Sequence, residues 1–334
     1  MNSQGEDNSR NFSFQSMRPL HPILAIVVPC YNEALLLEES AEKLSVKLQE
    51  MINNDRISAA SFVFFVDDGS TDETWRVIFN LHQRNPARFK GLKLTRNVGS
   101  QTALLAGLLS VREKVDCALS IDADLQQDAQ AIPDFLEKYE QGAEIVYGVR
   151  IDRKTDPLLK RATAAFFYKL MKFLGTDIIE NHADYRLVSR KALDALATYG
   201  EYNLFLRGIF PNMGFKADKV YYQTHKRSRG ESKFSFLKMC SLALSGITSF
   251  SILPLRLAAV IGTMVFLFSC AMIVFAIFSF IRGKAVPGWA SIVIAIYFIG
   301  GIQLIFLGLI GEYLGRIYQE VKSRPRFIEE EKLF

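Results

Sequence analysis

Two uncharged stretches near the C-terminus, Leu257 to Ile281 (25 residues) and Ala285 to Gly311 (27 residues), constrain this chain more than any other feature. Each is long enough to cross a hydrocarbon core about 30 Å thick as a helix. Leu, Ile, Phe and Val fill 14 of the 25 positions in the first stretch. At about −0.3 to −0.6 kcal/mol apiece they favour insertion strongly. A water-soluble core helix of that length without a polar face is uncommon, so the expectation is two membrane-spanning helices.

Two crossings return the chain to the side it left, so everything before Leu257 shares a compartment with everything after Gly311. Charge selects that side. Lys233, Lys238 and Arg256 precede the first stretch and Arg316, Lys322, Arg324 and Arg326 follow the second, whereas the connection carries only Arg282 and Lys284. An excess of Lys and Arg marks the cytoplasmic side. The first 20 residues are polar and lack a leader-like apolar core, so they are expected to be disordered and cytoplasmic. Cys30, Cys117, Cys240 and Cys270 show no metal-type spacing and are expected as free thiols. Met239 to Leu255 is uncharged but rich in Ser and Thr, which suits a helix lying in the interface rather than one crossing it. The net charge of +5 is modest, and its basic collar beside the membrane favours anionic headgroups or an anionic lipid substrate over nucleic acid.

The preceding residues alternate short β-rich runs with helical periodicity, the pattern of a mostly parallel α/β sheet. Expected strands are Ile23 to Val28, Phe62 to Val66, Leu92 to Leu94, Cys117 to Ile121 and Ile145 to Tyr147; expected helices are Glu33 to Ile52, Thr71 to Leu81, Ser100 to Lys114 and Ala129 to Tyr139. Ligands of such sheets bind beyond the carboxyl ends of the strands. Polar motifs fall at those ends: Pro29-Cys30-Tyr31-Asn32-Glu33, Asp67-Asp68-Gly69-Ser70-Thr71-Asp72, Arg96-Asn97-Val98-Gly99 and Asp122-Ala123-Asp124-Leu125-Gln126. The last places two carboxylates and a carboxamide on nearly adjacent residues, a donor set suited to Mg²⁺ or Mn²⁺. Ser70 or Thr71 with Asp72 and Glu73 reads as a helix cap. Adjacent Asp67 and Asp68 need compensation by a cation or by donors. Asp68 and Glu33 have the acceptor chemistry for a base edge and ribose hydroxyls, and Tyr31 could cover either.

These motifs, with Arg227-Ser228-Arg229-Gly230-Glu231-Ser232-Lys233, resemble the inverting family 2 glycosyltransferases of GT-A fold, and within them the polyprenyl-phosphate glycosyltransferases, which include bactoprenol glucosyltransferases and dolichol-phosphate mannose synthases. The resemblance extends over residues 22–325. It implies a nucleotide-sugar donor, a divalent metal (Mg²⁺ or Mn²⁺) at Asp122, Asp124 and Gln126, and a polyprenyl phosphate acceptor at a bacterial inner membrane. Glucose from UDP-glucose, transferred with inversion, is the favoured reaction; GDP-mannose or a UDP-aminoarabinose-type donor is the alternative, and a non-catalytic nucleotide-sugar-binding module is the rival of another class. Nucleotide-sugar contacts are expected from Pro29, Tyr31, Glu33, Asp68, Asn97, Gln101, Asp122 and Ala123. Acceptor-phosphate contacts are expected from Arg150, Arg161, Arg227, Arg229, Ser232 and Lys233, with Arg227 and Lys233 preferred. Asp184, Asp156 and Asp124 are the expected catalytic carboxylates, Asp184 also being open to an ion pair with Arg186. The expected organisation is a disordered segment over 1–20, a GT-A domain over 21–231, an interfacial helix over 232–254, two spans within 255–311 and a cytoplasmic tail over 312–334. Paired spans and an interfacial helix also suit packing in a homo-oligomer.

Overall fold

Leu24–Cys30 (β1) and Phe62–Asp67 (β2) are nearly unbroken apolar runs, and both are buried on their two faces. Such runs belong in the middle of a parallel sheet, where helices cover both sides. In the computed structural model, which describes residues 18–151, 182–201, 206–223, 253–282 and 288–334, they pair in parallel at the centre of an eight-stranded sheet. The other strands are Phe89–Leu94 (β3), Cys117–Ser120 (β4), Ile145–Arg150 (β5), His182–Ser189 (β6), Ala217–Tyr222 (β7) and Glu329–Leu333 (β8). Their spatial order is β7-β5-β6-β4-β1-β2-β3-β8. Strands β6 and β8 run against their neighbours. This is the mostly parallel α/β sheet that the alternating pattern implied.

Helices cover both faces. On one side Ala34–Asn53 (α1) buries Leu37, Ala41, Leu44, Leu48 and Met51, a stripe spaced three and four residues apart as one helical face requires. It shares a core with Thr74–Arg84 (α2) and Ile132–Glu140 (α4) against the even-numbered side chains of β1. Ser100–Val111 (α3), Arg190–Ala197 (α5) and Leu206–Asn212 (α6) form the opposite core with Ala25 and Val27. Helix α3 lies very close to the sheet: a Cβ on Gly107 would come within 2.5 Å of Val27 Cγ1 and 2.6 Å of Val66 Cγ2.

Several local expectations change. Helix α2 begins three residues later than expected, at Thr74. The N-cap position is Glu73 rather than Ser70 or Thr71, and it makes no side-chain cap hydrogen bond; one residue earlier the Asp72 carboxylate accepts from the Thr74 N–H at 3.0 Å. Strands β6, β7 and β8 and helices α5 and α6 were not anticipated. The C-terminal segment is not a free tail: after Leu253–Ile281 (α7) and Trp289–Val321 (α8), the chain enters the sheet as β8 and pairs antiparallel with β3. Within α8 the segment Phe298–Val321 is long and apolar enough to cross a membrane. That segment runs past Gly311, the expected end of the second span, since the helix continues unbroken to Val321 with Glu312 and Arg316 paired at 3.1 Å along it. Residues 1–17 and most of the expected interfacial helix lie outside the described residues.

Candidate active site

Because β1 to β4 are parallel, the loops that follow them emerge on one rim. The first two loops are laced together. Asn32, at φ 55°, donates its N–H to Ser70 Oγ at 3.0 Å and accepts from the Thr71 N–H at 2.9 Å, while Glu33 and Ala34 donate to Thr74 Oγ1 and Asp72 Oδ2. Asp68 then ties the second loop to the third, accepting from the Val98 N–H at 2.7 Å and the Gly99 N–H at 3.0 Å. Asp67 accepts from the Ser70 N–H at 3.1 Å. Backbone amides therefore supply part of the compensation that adjacent carboxylates need, while Asp67 Oδ2 is buried with no hydrogen-bond partner among the described residues. Burial pushes both acids above their usual pKa and these hydrogen bonds pull against it. Gly69 sits at φ +63°, and a Cβ there would lie 2.3 Å from the Arg96 carbonyl carbon, so only glycine lets the two loops close to this distance.

The fourth loop is a tight turn. Leu125, at φ 45°, donates its N–H to Asp122 O at 3.1 Å, and Gln126 donates its N–H to Asp124 Oδ1 at 3.2 Å. Ser40, a small polar residue on the apolar stripe of α1, donates to Ala123 O at 2.7 Å. Gln127 brackets Asp122: its Oε1 accepts from the Asp122 N–H at 3.1 Å and its Nε2 donates to Asp122 Oδ2.

Strand β6 delivers Asp184 to the same rim for a topological reason. It runs antiparallel to β4 with Arg186 opposite Ser120, so its starting residues reach the rim where the parallel strands end. Asp184 accepts from Gln101 Nε2 at 2.8 Å and from Arg207 at 3.3 Å (Nε) and 3.1 Å (Nη2). Arg186 stands farther off at 3.9 Å, fully buried, with its guanidinium 4.3 Å above the Phe210 ring. Burial would raise the Asp184 pKa, yet Arg207, Arg186 and Gln101 together hold it down at about 2. The Asp122 carboxyl moves the other way, to about 6, through desolvation and then through repulsion from Asp184 and Asp124. Asp122 keeps a solvent-open face, so the neighbouring carboxylates are the firmer cause.

Among the expected site residues, the structure brings together Asp122, Asp124, Gln126, Gln101 and Asp184. It places Tyr31 (45% exposed) and Asn97 openly on the same rim. Pro29 lies within β1, the Ala123 side chain is buried, and Gln101 and both oxygens of Asp68 are engaged with protein partners. Arg150 closes β5, which is parallel to β7 and runs in the same direction as β4. Asp156, Arg161, Arg227, Arg229, Ser232 and Lys233 lie outside the described residues. Three contributors escaped the motif reading. Ser40 was detectable as a polar break in an apolar helical stripe and Gln127 as the second member of a Gln pair. No local signal links Arg207 to Asp184, 23 residues before it.

The donor set suits a hard divalent cation. Asp122, Asp124 and Gln126 offer oxygens within one turn, and mutual repulsion leaves the cluster short of positive charge. Among the described residues no group of three or more His, Cys, Asp and Glu side chains forms a cage of its own.

Glycosyl transferase family 2 matches residues 25–197, a stretch that holds all four rim loops and Asp184. An uncharacterised glycosyltransferase of Bacillus subtilis (strain 168) is 47% identical over 311 residues, covering 93% of this chain and 92% of that protein. The bactoprenol glucosyl transferase of Shigella phage SfX is 40% identical over 310 residues, covering 91% and 98%. Among solved structures, the mannosyltransferase PcManGT from Pyrobaculum calidifontis, in complex with GDP-Man and Mn²⁺, aligns over 91% of this chain and 87% of its own at 16% identity with a TM-score of 0.40. By its matched rim motifs and by relatives alike over nearly their whole length, the chain belongs to glycosyl transferase family 2 and is a glycosyltransferase.

Proposed function

We propose that this enzyme transfers glucose from UDP-glucose, with inversion, to a polyprenyl phosphate at the cytoplasmic face of a bacterial membrane, which it spans twice through α7 and α8. The observation that carries this reading is the 40% identity, over more than nine-tenths of both chains, to a protein named bactoprenol glucosyl transferase. The proposed topology agrees with β8, since the chain leaving α8 joins the sheet that precedes α7.

Asp122, Asp124 and Gln126 would hold Mg²⁺ or Mn²⁺. The chemistry such a cation supplies when bound is electrostatic, an offset of negative charge on the departing nucleoside diphosphate. Asp184, whose pKa is held down at about 2, is a poor proton acceptor at neutral pH. That suits a nucleophile which is already an anion, because a phosphomonoester has its second pKa near ~6. In this reading Asp184 orients the transferred sugar through oxygens braced by Arg207 and Gln101, while Tyr31 and Asn97 line the approach of the nucleotide. Arg150, together with Arg161, Arg227, Arg229, Ser232 and Lys233, would meet the acceptor phosphate. The proposed division is a GT-A domain over 21–231, an interfacial helix over 232–254 and a membrane pair over 255–311.

The test supplies the full-length enzyme with undecaprenyl phosphate, Mn²⁺ and labelled UDP-glucose, UDP-galactose, GDP-mannose or a UDP-aminoarabinose derivative in turn. Label from UDP-glucose is expected in the organic-extractable lipid and absent with Asp124→Ala. Transfer from another donor only, or full activity in the variant, would overturn the assignment.

A further inference from the structure

We propose that Gln127 is the positioning residue of the cation loop: its carboxamide fixes the rotamer of Asp122, and with it the affinity of the loop for a divalent cation. The proposal rests on the metal role assigned above to Asp122 and Asp124. Gln127 belongs to none of the motifs that carry the family resemblance. Its side chain is 5% exposed, and it makes two hydrogen bonds to one residue. The amide orientation follows from chemistry. The Asp122 N–H needs an acceptor and the Asp122 carboxylate needs a donor, so Oε1 must face the backbone and Nε2 the side chain. A carboxamide meets both demands, whereas a carboxylate in its place would face Asp122 with a second negative oxygen.

The surroundings make this clamp effective. The turn at Leu125 folds residue 127 back beneath residue 122, and Ser40 secures the intervening Ala123 carbonyl to α1. The backbone of the loop is thus held from the core side. The Asp122 side chain has a solvent-open face, and without Gln127 little would prevent its carboxylate from turning away from Asp124. Mutual repulsion among Asp122, Asp124 and Asp184 would drive that rotation. Buried Gln127 has little water to turn to, so its hydrogen bonds to Asp122 are strongly favoured over the alternative.

Outer partners that orient metal-binding carboxylates typically change metal affinity about 10–100-fold when removed. The experiment titrates Mn²⁺, alone and with UDP, into the purified full-length protein in detergent. Electron paramagnetic resonance reads the free ion, and melting curves are recorded in parallel. Wild type should bind and Asp124→Ala should not. Gln127→Glu and the near-isosteric Gln127→Met should each bind Mn²⁺ about tenfold or more weakly, with melting midpoints near that of wild type. In transfer assays the Mn²⁺ needed for half-maximal rate should rise in parallel, and saturating Mn²⁺ should restore much of kcat in Gln127→Met. Unchanged Mn²⁺ affinity in both Gln127 variants, while Asp124→Ala loses it, overturns this proposal alone. So does a fall in melting midpoint in both variants with affinity unchanged in the folded fraction. No Mn²⁺ binding by wild type overturns the metal reading and this proposal together.

Discussion

Asp184 and Asp122 show how one rim drives two carboxylates apart. Arg207 holds the first ionised and repulsion makes the second harder to ionise. The shift of Asp184 from 3.8 to about 2 is worth about 2 kcal/mol. Its folded pKa lies below its ordinary value, so this stabilisation is present above about pH 4 and disappears as pH falls through about 2. Thermal melts of wild type and Asp184→Asn should therefore differ clearly at pH 7 and converge in acid; a gap independent of pH would contradict the pairing with Arg207. Gly69 makes a separate prediction. Gly69→Ala places a Cβ 2.3 Å from the Arg96 carbonyl carbon at φ +63°, a strain of about 1–3 kcal/mol. The second and third loops should separate, with a lower melting midpoint and a raised KM for the nucleotide sugar; an unchanged KM would show that the loop junction does not shape the donor site. Asp122 and Asp124 were legible as candidate ligands because two carboxylates and a carboxamide so spaced after an apolar run suit a hard cation. The protein partners of Asp68 and Gln101 were not legible, because an amide or carboxylate from a distant part of the chain satisfies an acceptor or donor as well as a ligand does.

Among the elements, the interior strands were readable and the later ones were not. Strands β1, β2 and β4 are buried on both faces and therefore apolar throughout. Strand β7, at the edge, alternates exposed and buried positions, and β8, with sequence Glu-Glu-Glu-Lys-Leu, is almost wholly charged. Charge on an edge strand discourages pairing with other molecules and hides the strand from a hydrophobic pattern. The end of the chain nevertheless contributes to the core. The Phe334 ring lies 5.2 Å from Phe64 and 6.4 Å from Phe62, and Lys114 Nζ lies 3.4 Å above it. Deleting Glu329–Phe334 should expose these rings and the β3 edge, lower the melting midpoint and increase the aggregated fraction on size exclusion. A truncated chain as stable and monodisperse as wild type would show that β8 is dispensable.

Across the whole molecule, β8 ties the segment that follows α8 to the sheet edge farthest from β7. The proposed two-span topology then requires both chain ends on one side and the α7–α8 connection on the other. In a background without native cysteines, Ser3→Cys and Glu330→Cys should react with an impermeant thiol reagent only from the cytoplasmic side, and Lys284→Cys only from outside. Labelling of Ser3→Cys and Glu330→Cys from opposite sides would reveal an odd number of crossings. Local chemistry alone determined the parallel α/β class, the rim that holds the site, the carboxylate pair at Asp122 and Asp124, and the apolar C-terminal pair. Periodicity and donor type act over a few residues and are written in neighbouring positions. Only the tertiary structure decided that Arg207 braces Asp184, that Ser40 and Gln127 hold the loop of Asp122 and Asp124, and that the last five-residue strand closes the sheet. The Arg207 and β8 contacts depend on a reversed strand or a returning chain that brings distant residues together, which no local pattern encodes; Gln127 is only five residues from Asp122, but the fold of the turn decides that its amide faces back.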